Sequence, residues 1–214
     1  MVETNPSQSS QGRPGGMSIK EFFYLLRWDW RMNKGLTFDR LRAMLLMLDV
    51  RFEQLIHRNF CRPRNPLILV WYFTRFLGSL FQWFIATSII PGDVKIGRGL
   101  RLPHPQNIII SRFAELGEFC TVYQNVSVGL NGFKPDSPPR IGDMVMLGTG
   151  SVVVGDITIG SDVIIGVGAM IVRSVPEHSR VFSPRPSVLT NHPSHHLAEP
   201  GSDEHIRDPY SIWR

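Results

Sequence analysis

The stretch Ile141-Gly142-Asp143-Met144-Val145-Met146-Leu147-Gly148 opens a run in which an aliphatic residue returns every six positions: Ile141, Leu147, Val153, Ile159, Ile165 and Ile171. Glycine follows four of them, at Gly142, Gly148, Gly160 and Gly166. Two residues before each next aliphatic stands a small or β-branched side chain: Val145, Ser151, Ile157, Val163 and Ala169. A period of six fits neither the 3.6-residue turn of an α-helix nor the two-residue alternation of a flat strand. It fits a parallel β-helix, in which each unit is one short strand and one turn on a flat face. The aliphatic side chain then points into a narrow prism and stacking buries a continuous apolar ladder. The glycines are expected to supply backbone angles that larger residues resist.

Working outward, Ile90, Ile96, Leu102 and Ile108 keep the same period, which slips by two and resumes as Ile110, Leu116, Val122 and Val128. Two features interrupt the coils. One is Leu102-Pro103-His104-Pro105-Gln106-Asn107, and the other is the segment from Gly129 to Arg140. The repeat stops at Pro176, and 181–188 is expected to cap the open end of the prism. The fold class expected is therefore mainly β, a left-handed parallel β-helix of hexapeptide repeats behind an α-helical N-terminal region. The boundaries are a disordered segment over 1–16, helices over 17–88, the β-helix over 89–190 and a flexible tail over 191–214.

In the helical region, Ser18-Ile19-Lys20-Glu21 reads as a capping box that opens a helix ending near Met32, with Gly35 as its stop. Thr37 opens a second helix, whose apolar face is expected to be Leu41, Met44, Leu45, Leu48, Phe52, Leu55 and Ile56. Leu67–Ala86 is the most apolar segment. Its polar residues Thr74, Arg75, Ser79 and Gln82, with Gly78 among them, form one narrow helical stripe. That helix is expected to pack against neighbouring helices or subunits, and a peripheral membrane contact through Leu67–Ala86 is the second reading. Arg75 in mid-segment argues against a spanning helix.

The 214 residues carry 23 Lys and Arg against 18 Asp and Glu, a formal charge of +5. That balance favours phosphate-bearing or otherwise anionic partners. No motif for nucleic-acid recognition accompanies it, so nucleic acid is not expected. Cys61 and Cys120 lack metal-ligand spacing, and a reducing, cytoplasmic setting with possible membrane association is the plain reading. No cleavable signal peptide is visible in the polar N-terminal segment.

Taken together, the hexapeptide pattern, Leu102-Pro103-His104-Pro105, the segment Val122-Tyr123-Gln124-Asn125-Val126-Ser127-Val128-Gly129 and the segment Val154-Gly155-Asp156-Ile157-Thr158-Ile159-Gly160 resemble the serine acetyltransferase branch of the hexapeptide-repeat acyltransferases. The resemblance covers about residues 88–190. The helical front end is more similar to members associated with exopolysaccharide and capsule synthesis. The resemblance implies a homotrimer with active sites at subunit interfaces and acetyl-CoA as acyl donor, without a metal.

Acyl transfer to a hydroxyl needs a base, and a histidine suits that work near neutral pH. His104 matches the family's catalytic histidine. Gly129 matches the glycine beside the reacting thioester, and its N–H is a candidate oxyanion donor. Gly148, Thr149 and Gly166 match positions along the acyl-CoA channel. Arg140, Arg173 and Arg185 are candidates for the CoA phosphates. Gln124 and Asn125 are candidates for acceptor binding, Gln124 because one coil brings the chain back over His104.

Three departures stand out. Pro138 occupies the place of a second histidine, Ile89 that of the aspartate that orients the catalytic ring, and Pro103 that of an acidic neighbour. Read as losses, they disfavour serine as acceptor. The leading expectation is thus an O-acetyltransferase acting on a sugar hydroxyl in glycan synthesis. The alternatives are serine O-acetyltransferase, a non-catalytic β-helix scaffold, and a zinc-dependent β-helical carbonic anhydrase, for which the coils offer only His104 of the three histidines required. His192, His195 and His196 cluster in the tail and are read as surface residues.

Overall fold

A computed structural model describes residues 16–35, 37–60, 68–130 and 138–184. The expected tail over 191–214, Arg185, the tail histidines and nearly all of the first sixteen residues lie outside them. Three helices come first: α1 (Ile19–Asn33), α2 (Phe38–Phe60) and α3 (Ile68–Ala86). Twelve strands of two or three residues follow.

The strands stack into three parallel four-stranded sheets, which are the three faces of the prism. The first face holds Lys95–Ile96, Glu115–Leu116, Arg140–Ile141 and Thr158–Ile159. The second holds Thr121–Val122, Met146–Leu147, Ile164–Ile165 and Arg180–Val181, with Arg101 bridging to Thr121. The third holds Ile109–Ile110, Ser127–Gly129, Val152–Val154 and Met170–Ile171. The chain visits the faces in that cyclic order. The six-residue ladder is the core: Leu147, Val153 and Ile159 are fully buried, and so are the corner residues Val145, Ser151 and Val163.

The glycines after the aliphatics have a different role from the one expected. None of Gly142, Gly148, Gly160 and Gly166 is in the left-handed region. A Cβ on Gly142 would come 2.8 Å from the Ser161 nitrogen, and one on Gly148 would come 2.7 Å from the Ile165 oxygen. They are bare because the next coil's backbone passes over them. Left-handed angles fall elsewhere, on Asn107, Phe119, Asn125, Met144, Asp162 and His178 as well as on Gly150 and Gly168.

Ser18 caps α1, its hydroxyl accepting the Glu21 N–H at 3.0 Å. The Glu21 carboxylate turns instead to Arg58 of α2, at 2.7 Å. Helix α1 ends at Lys34, already extended, one residue before the expected glycine stop.

The inward faces of α2 and α3 are not those the apolar pattern suggested. Leu41, Leu48 and Phe52 are exposed, while Ala43, Leu46, Met47, Val50, Arg51 and Gln54 are buried. Helix α3 likewise turns Gly78, Gln82 and Ala86 inward and Tyr72, Phe73, Phe76, Phe81, Trp83 and Phe84 outward. The reason is that the helices dock on strand edges and loops, whose free N–H and C=O groups require polar partners.

Asp29 and Asn33 of α1 and Arg51 and Gln54 of α2 supply them. Arg51 is fully buried. It donates from Nε to Asp29 at 2.7 Å, from Nη1 to the Ile96 carbonyl at 2.9 Å and from Nη2 to the Gly97 carbonyl at 2.6 Å. Asp29 accepts the N–H groups of Gly99 and Leu100 at 2.8 and 3.1 Å. Asn33 donates to the Leu100 carbonyl and accepts the Leu102 N–H, and Gln54 donates to the Val94 carbonyl. The backbone from Val94 to Leu102 is thus held at intervals of one or two residues by helical side chains.

A second polar cluster joins α2, α3 and the first turn of the coil. Gln82 exchanges two bonds with the Ile90 backbone and donates to Asp49. Glu53 accepts the Gly92 N–H at 2.8 Å through Oε2, while its Oε1 is buried without a hydrogen-bond partner among the described residues. Gly78 makes room for it, since a Cβ there would lie 2.1 Å from that oxygen. Burial pushes the Glu53 carboxyl up to about 7, with the neighbouring Asp49 and Asp93 charges adding to the rise against the N–H bond and Arg75.

Two outcomes follow from these clusters. Arg51→Met leaves Asp29 buried and uncompensated, so urea denaturation should show a loss of about 3–5 kcal/mol. Glu53 holds its proton in the fold to higher pH than in the unfolded chain. Its contribution is therefore fully present below the ordinary carboxylate range and lost as pH rises through about 7. Glu53→Gln should flatten that fall in denaturation midpoints measured from pH 5 to 8.

Candidate active site

His104 sits in the turn between the second and third faces, just beyond the clamped backbone at Leu102. Its Nδ1 lies 2.7 Å from Oδ2 of Asp39, in the first turn of α2. A carboxylate only accepts hydrogen bonds, so this contact places the ring proton on Nδ1 and leaves the Nε2 lone pair free to accept another. The His104 side chain is 53% exposed, so a substrate can reach it. Around the pair lies a cavity of about 290 Å³, lined by Met32, Asn33, Thr37, Asp39, Arg40, Arg101, Leu102, Pro103 and His104. Arg42 stands 4.0 Å from the other oxygen of Asp39.

Asp39 is the partner of His104 that the sequence reading did not find. Ile89, at the place where an orienting aspartate was sought, is 54% exposed and bridges to Ile109. The carboxylate comes instead from fifty residues earlier in the chain, on an element that is not part of the repeat. The one available signal was an acidic residue in the first turn after Thr37, which is equally explained by the helix dipole.

Several candidates share the corner of His104. Gln124 falls in the same turn one coil on, in register with the Arg101–Thr121 bridge. Its Oε1 is buried with no hydrogen-bond partner among the described residues. Asn125 is tied to its neighbour along the stack, accepting from Asn107 at 3.0 Å. Farther down the same corner, Gly148, Thr149 and Gly166 line an open groove of about 490 Å³ with Tyr123, Met146, Val167 and Phe182.

Others do not share it. Gly129 ends a strand of the third face and so lies at that face's far edge, as does Arg173 beyond Met170–Ile171. A Cβ at Gly129 would meet nothing within 4 Å, unlike the packed glycines of the repeat. Arg140 is on the first face beside Glu115, at 3.7 Å. Cys120 is buried, and burial pushes its thiol up to about 11, which removes it as a nucleophile. Among the described residues, no group of three His, Cys, Asp or Glu side chains could hold a metal ion.

Comparison with known proteins bears on the family and the fold. A family model described as bacterial transferase hexapeptide (six repeats) matches residues 138–173. The serine acetyltransferase of Helicobacter pylori is 33% identical over 121 residues, 56% of this chain and 70% of the relative. That of Staphylococcus epidermidis is 35% identical over 108 residues, half of each chain. Among solved structures, Neisseria gonorrhoeae serine acetyltransferase in complex with serine superposes with a TM-score of 0.64 at 21% identity, over 78% of this chain and 69% of the other. Serine acetyltransferase isoform 3 of Entamoeba histolytica, in complex with cysteine, gives 0.62 at 24% identity, over 80% and 61%. The structural likeness carries the left-handed β-helix with N-terminal helices. The chain belongs to the hexapeptide-repeat acyltransferases. It is an enzyme, an O-acetyltransferase.

The relatives correct one expectation. Curated relatives and solved neighbours alike are named serine acetyltransferases, so the sugar acceptor and the role in glycan synthesis are overturned. The physical reason lies in the departures read as losses. A carboxylate does stand on the His104 ring, that of Asp39, so the lack of one at Ile89 is no argument against serine.

The two kinds of glycine can be told apart experimentally. Gly148→Ala should destabilise the fold by about 1–3 kcal/mol, because its Cβ overlaps the next coil's backbone. Gly129→Ala should leave the unfolding midpoint within about 0.5 kcal/mol of the parent while reducing acyl transfer.

Proposed function

We propose that the protein is a serine O-acetyltransferase that moves the acetyl group of acetyl-CoA to the hydroxyl of L-serine, the activated-serine step of cysteine biosynthesis. The observation that carries this reading is the His104–Asp39 pair inside a small pocket that also holds Arg40 and Arg101. A free amino acid presents an ammonium, a carboxylate and a hydroxyl within a few ångströms. Asp39 and the two guanidiniums offer the complementary charges beside the base.

In the reaction, Nε2 of His104 takes the proton of the serine hydroxyl as the oxygen attacks the thioester carbonyl. The tetrahedral intermediate places a negative charge on the former carbonyl oxygen, which needs a fixed donor. The Gly129 N–H is the candidate. Collapse breaks the carbon–sulfur bond, and His104 returns the proton to the departing thiolate. Asp39 holds the ring's tautomer and orientation through these steps and offsets the charge of the transient imidazolium.

His104 and Gly129 are on opposite edges of the third face. A single chain therefore does not present base and donor on one corner. A homotrimer, in which the histidine corner of one copy faces the Gly129 edge of the next, supplies the missing half. The groove along Gly148, Thr149 and Gly166 then receives the pantetheine arm, whose slimness suits a wall of glycine. Arg173, on the Gly129 edge, is available to a CoA phosphate.

Release of free thiol from acetyl-CoA upon addition of L-serine tests the reading. His104→Ala should lower kcat by about a hundredfold or more. Asp39→Asn should lower it by about tenfold or more while the thermal midpoint stays near that of the parent. Thiol release that is independent of L-serine, or a fully active His104→Ala protein, would sink the proposal.

A further inference from the structure

Arg101 stands just before the turn that carries His104, and nothing in the fold answers its charge. Its neighbour Leu102 is buried in the prism. Successive side chains of an extended segment alternate between faces, so Arg101 lies on the outer side of the second face. Its backbone is tied to the next coil, the N–H donating to the Cys120 carbonyl and the carbonyl accepting the Val122 N–H, both at 2.9 Å. The side chain is half-buried and lines the cavity of His104 and Asp39.

The other cations withdrawn from solvent are engaged. Arg51 is paired with Asp29, Arg75 with Asp93 and Arg98 with Glu118. Arg42 stands beside Asp39 and over the Phe38 ring. Arg40, the second guanidinium of the cavity, donates to the Lys34 carbonyl at 2.5 Å and so secures the end of α1. Among the described residues that are not exposed, Arg101 is the one lysine or arginine whose side chain has no hydrogen bond, ion pair or ring contact. The cavity does not compensate it either. Asp39 is the one acidic residue of its lining, and both of its oxygens are spoken for, Oδ2 by Nδ1 of His104 and Oδ1 by Arg42.

A guanidinium taken out of water without a counter-ion is costly. Its planar fork matches a carboxylate through two parallel bonds. We propose that Arg101 is the specificity-determining residue of the acceptor site. It pairs with the acceptor's carboxylate and confines acyl transfer to small hydroxy compounds that carry an acid group beside the hydroxyl-bearing carbon. By holding the acid end it sets the hydroxyl at Nε2 of His104. This role rests on the reading of His104 as base and L-serine as acceptor, and goes further in naming the side chain that recognises the acid.

Thiol release from acetyl-CoA with L-serine and with L-serinamide, in which a neutral amide replaces the carboxylate, tests it. In the parent, kcat/KM should favour L-serine by about thirtyfold or more. Arg101→Gln should raise the KM for L-serine by about tenfold or more and move kcat far less, while kcat/KM for L-serinamide falls by less than about threefold. The preference for the acid then collapses. Arg101→Lys keeps the charge without the fork and should recover part of the lost affinity. Both variants should match the parent's thermal midpoint, since the side chain makes no bond within the described fold. The role is refuted if Arg101→Gln keeps the parent's KM for L-serine, if it loses both acceptors alike, or if the KM that rises is that for acetyl-CoA. In each of those cases the parent still releases thiol with L-serine, so the acceptor reading stands. A parent that releases none removes that reading, and the role of Arg101 with it.

Discussion

The buried Arg51–Asp29 pair holds the helical region and the coil in one register. Burying a charge pair is costly unless every remaining donor and acceptor is met. Here they are met by the coil's own backbone: Arg51 reaches the carbonyls of Ile96 and Gly97, and Asp29 takes the N–H groups of Gly99 and Leu100. The pair therefore satisfies the opening strand of a parallel stack, the edge no earlier coil covers. Its reach extends to the chemistry, because Arg51 and Asp39 lie on the same helix, α2, about 18 Å apart along its axis. The helix that is locked to the first coil at one end delivers the carboxylate to His104 at the other.

Stacked coils put a second demand on the sequence. Where the chain leaves the first or second face, the following coil crosses so closely that a methyl group does not fit, and Gly97, Gly117, Gly142 and Gly148 stand there. Where the corner itself bends into the left-handed region, asparagine, aspartate and even phenylalanine and methionine are accepted, because neighbouring coils fix the turn. The glycine signature of the repeat thus records proximity between coils and not the twist of the turn. Gly129 obeys neither demand, which is what distinguishes it as a position kept open.

The β-helix was legible in the sequence because its period is set by local geometry repeated many times, so that Ile141 to Ile171 could be read without knowing what lay beside them. His104 was legible for a related reason, since it interrupts that period between two prolines. The helices were misread where partners mattered. Leu41, Leu48 and Phe52 look like a core stripe until the buried neighbour proves to be a strand edge that requires Arg51 and Gln54. The same applies to Gln82 and Gly78 of α3. Asp39 could not be found from spacing, because its partner lies 65 residues away on a different kind of element. The departure at Ile89 then looked like a lost partner for His104, whereas a carboxylate reaches the ring from Asp39.

Placing the ring-orienting carboxylate on α2 has an evolutionary consequence. The later coils, with Met146, Gly148, Thr149, Gly166 and Phe182, line the groove. They could lengthen by whole turns, or change their lining, without disturbing the proton-handling pair above them. The helical region, in contrast, could not be exchanged without losing Asp39. In such a chain the lining of the groove can vary within the repeats, whereas the carboxylate on the His104 ring is inherited together with the N-terminal helices.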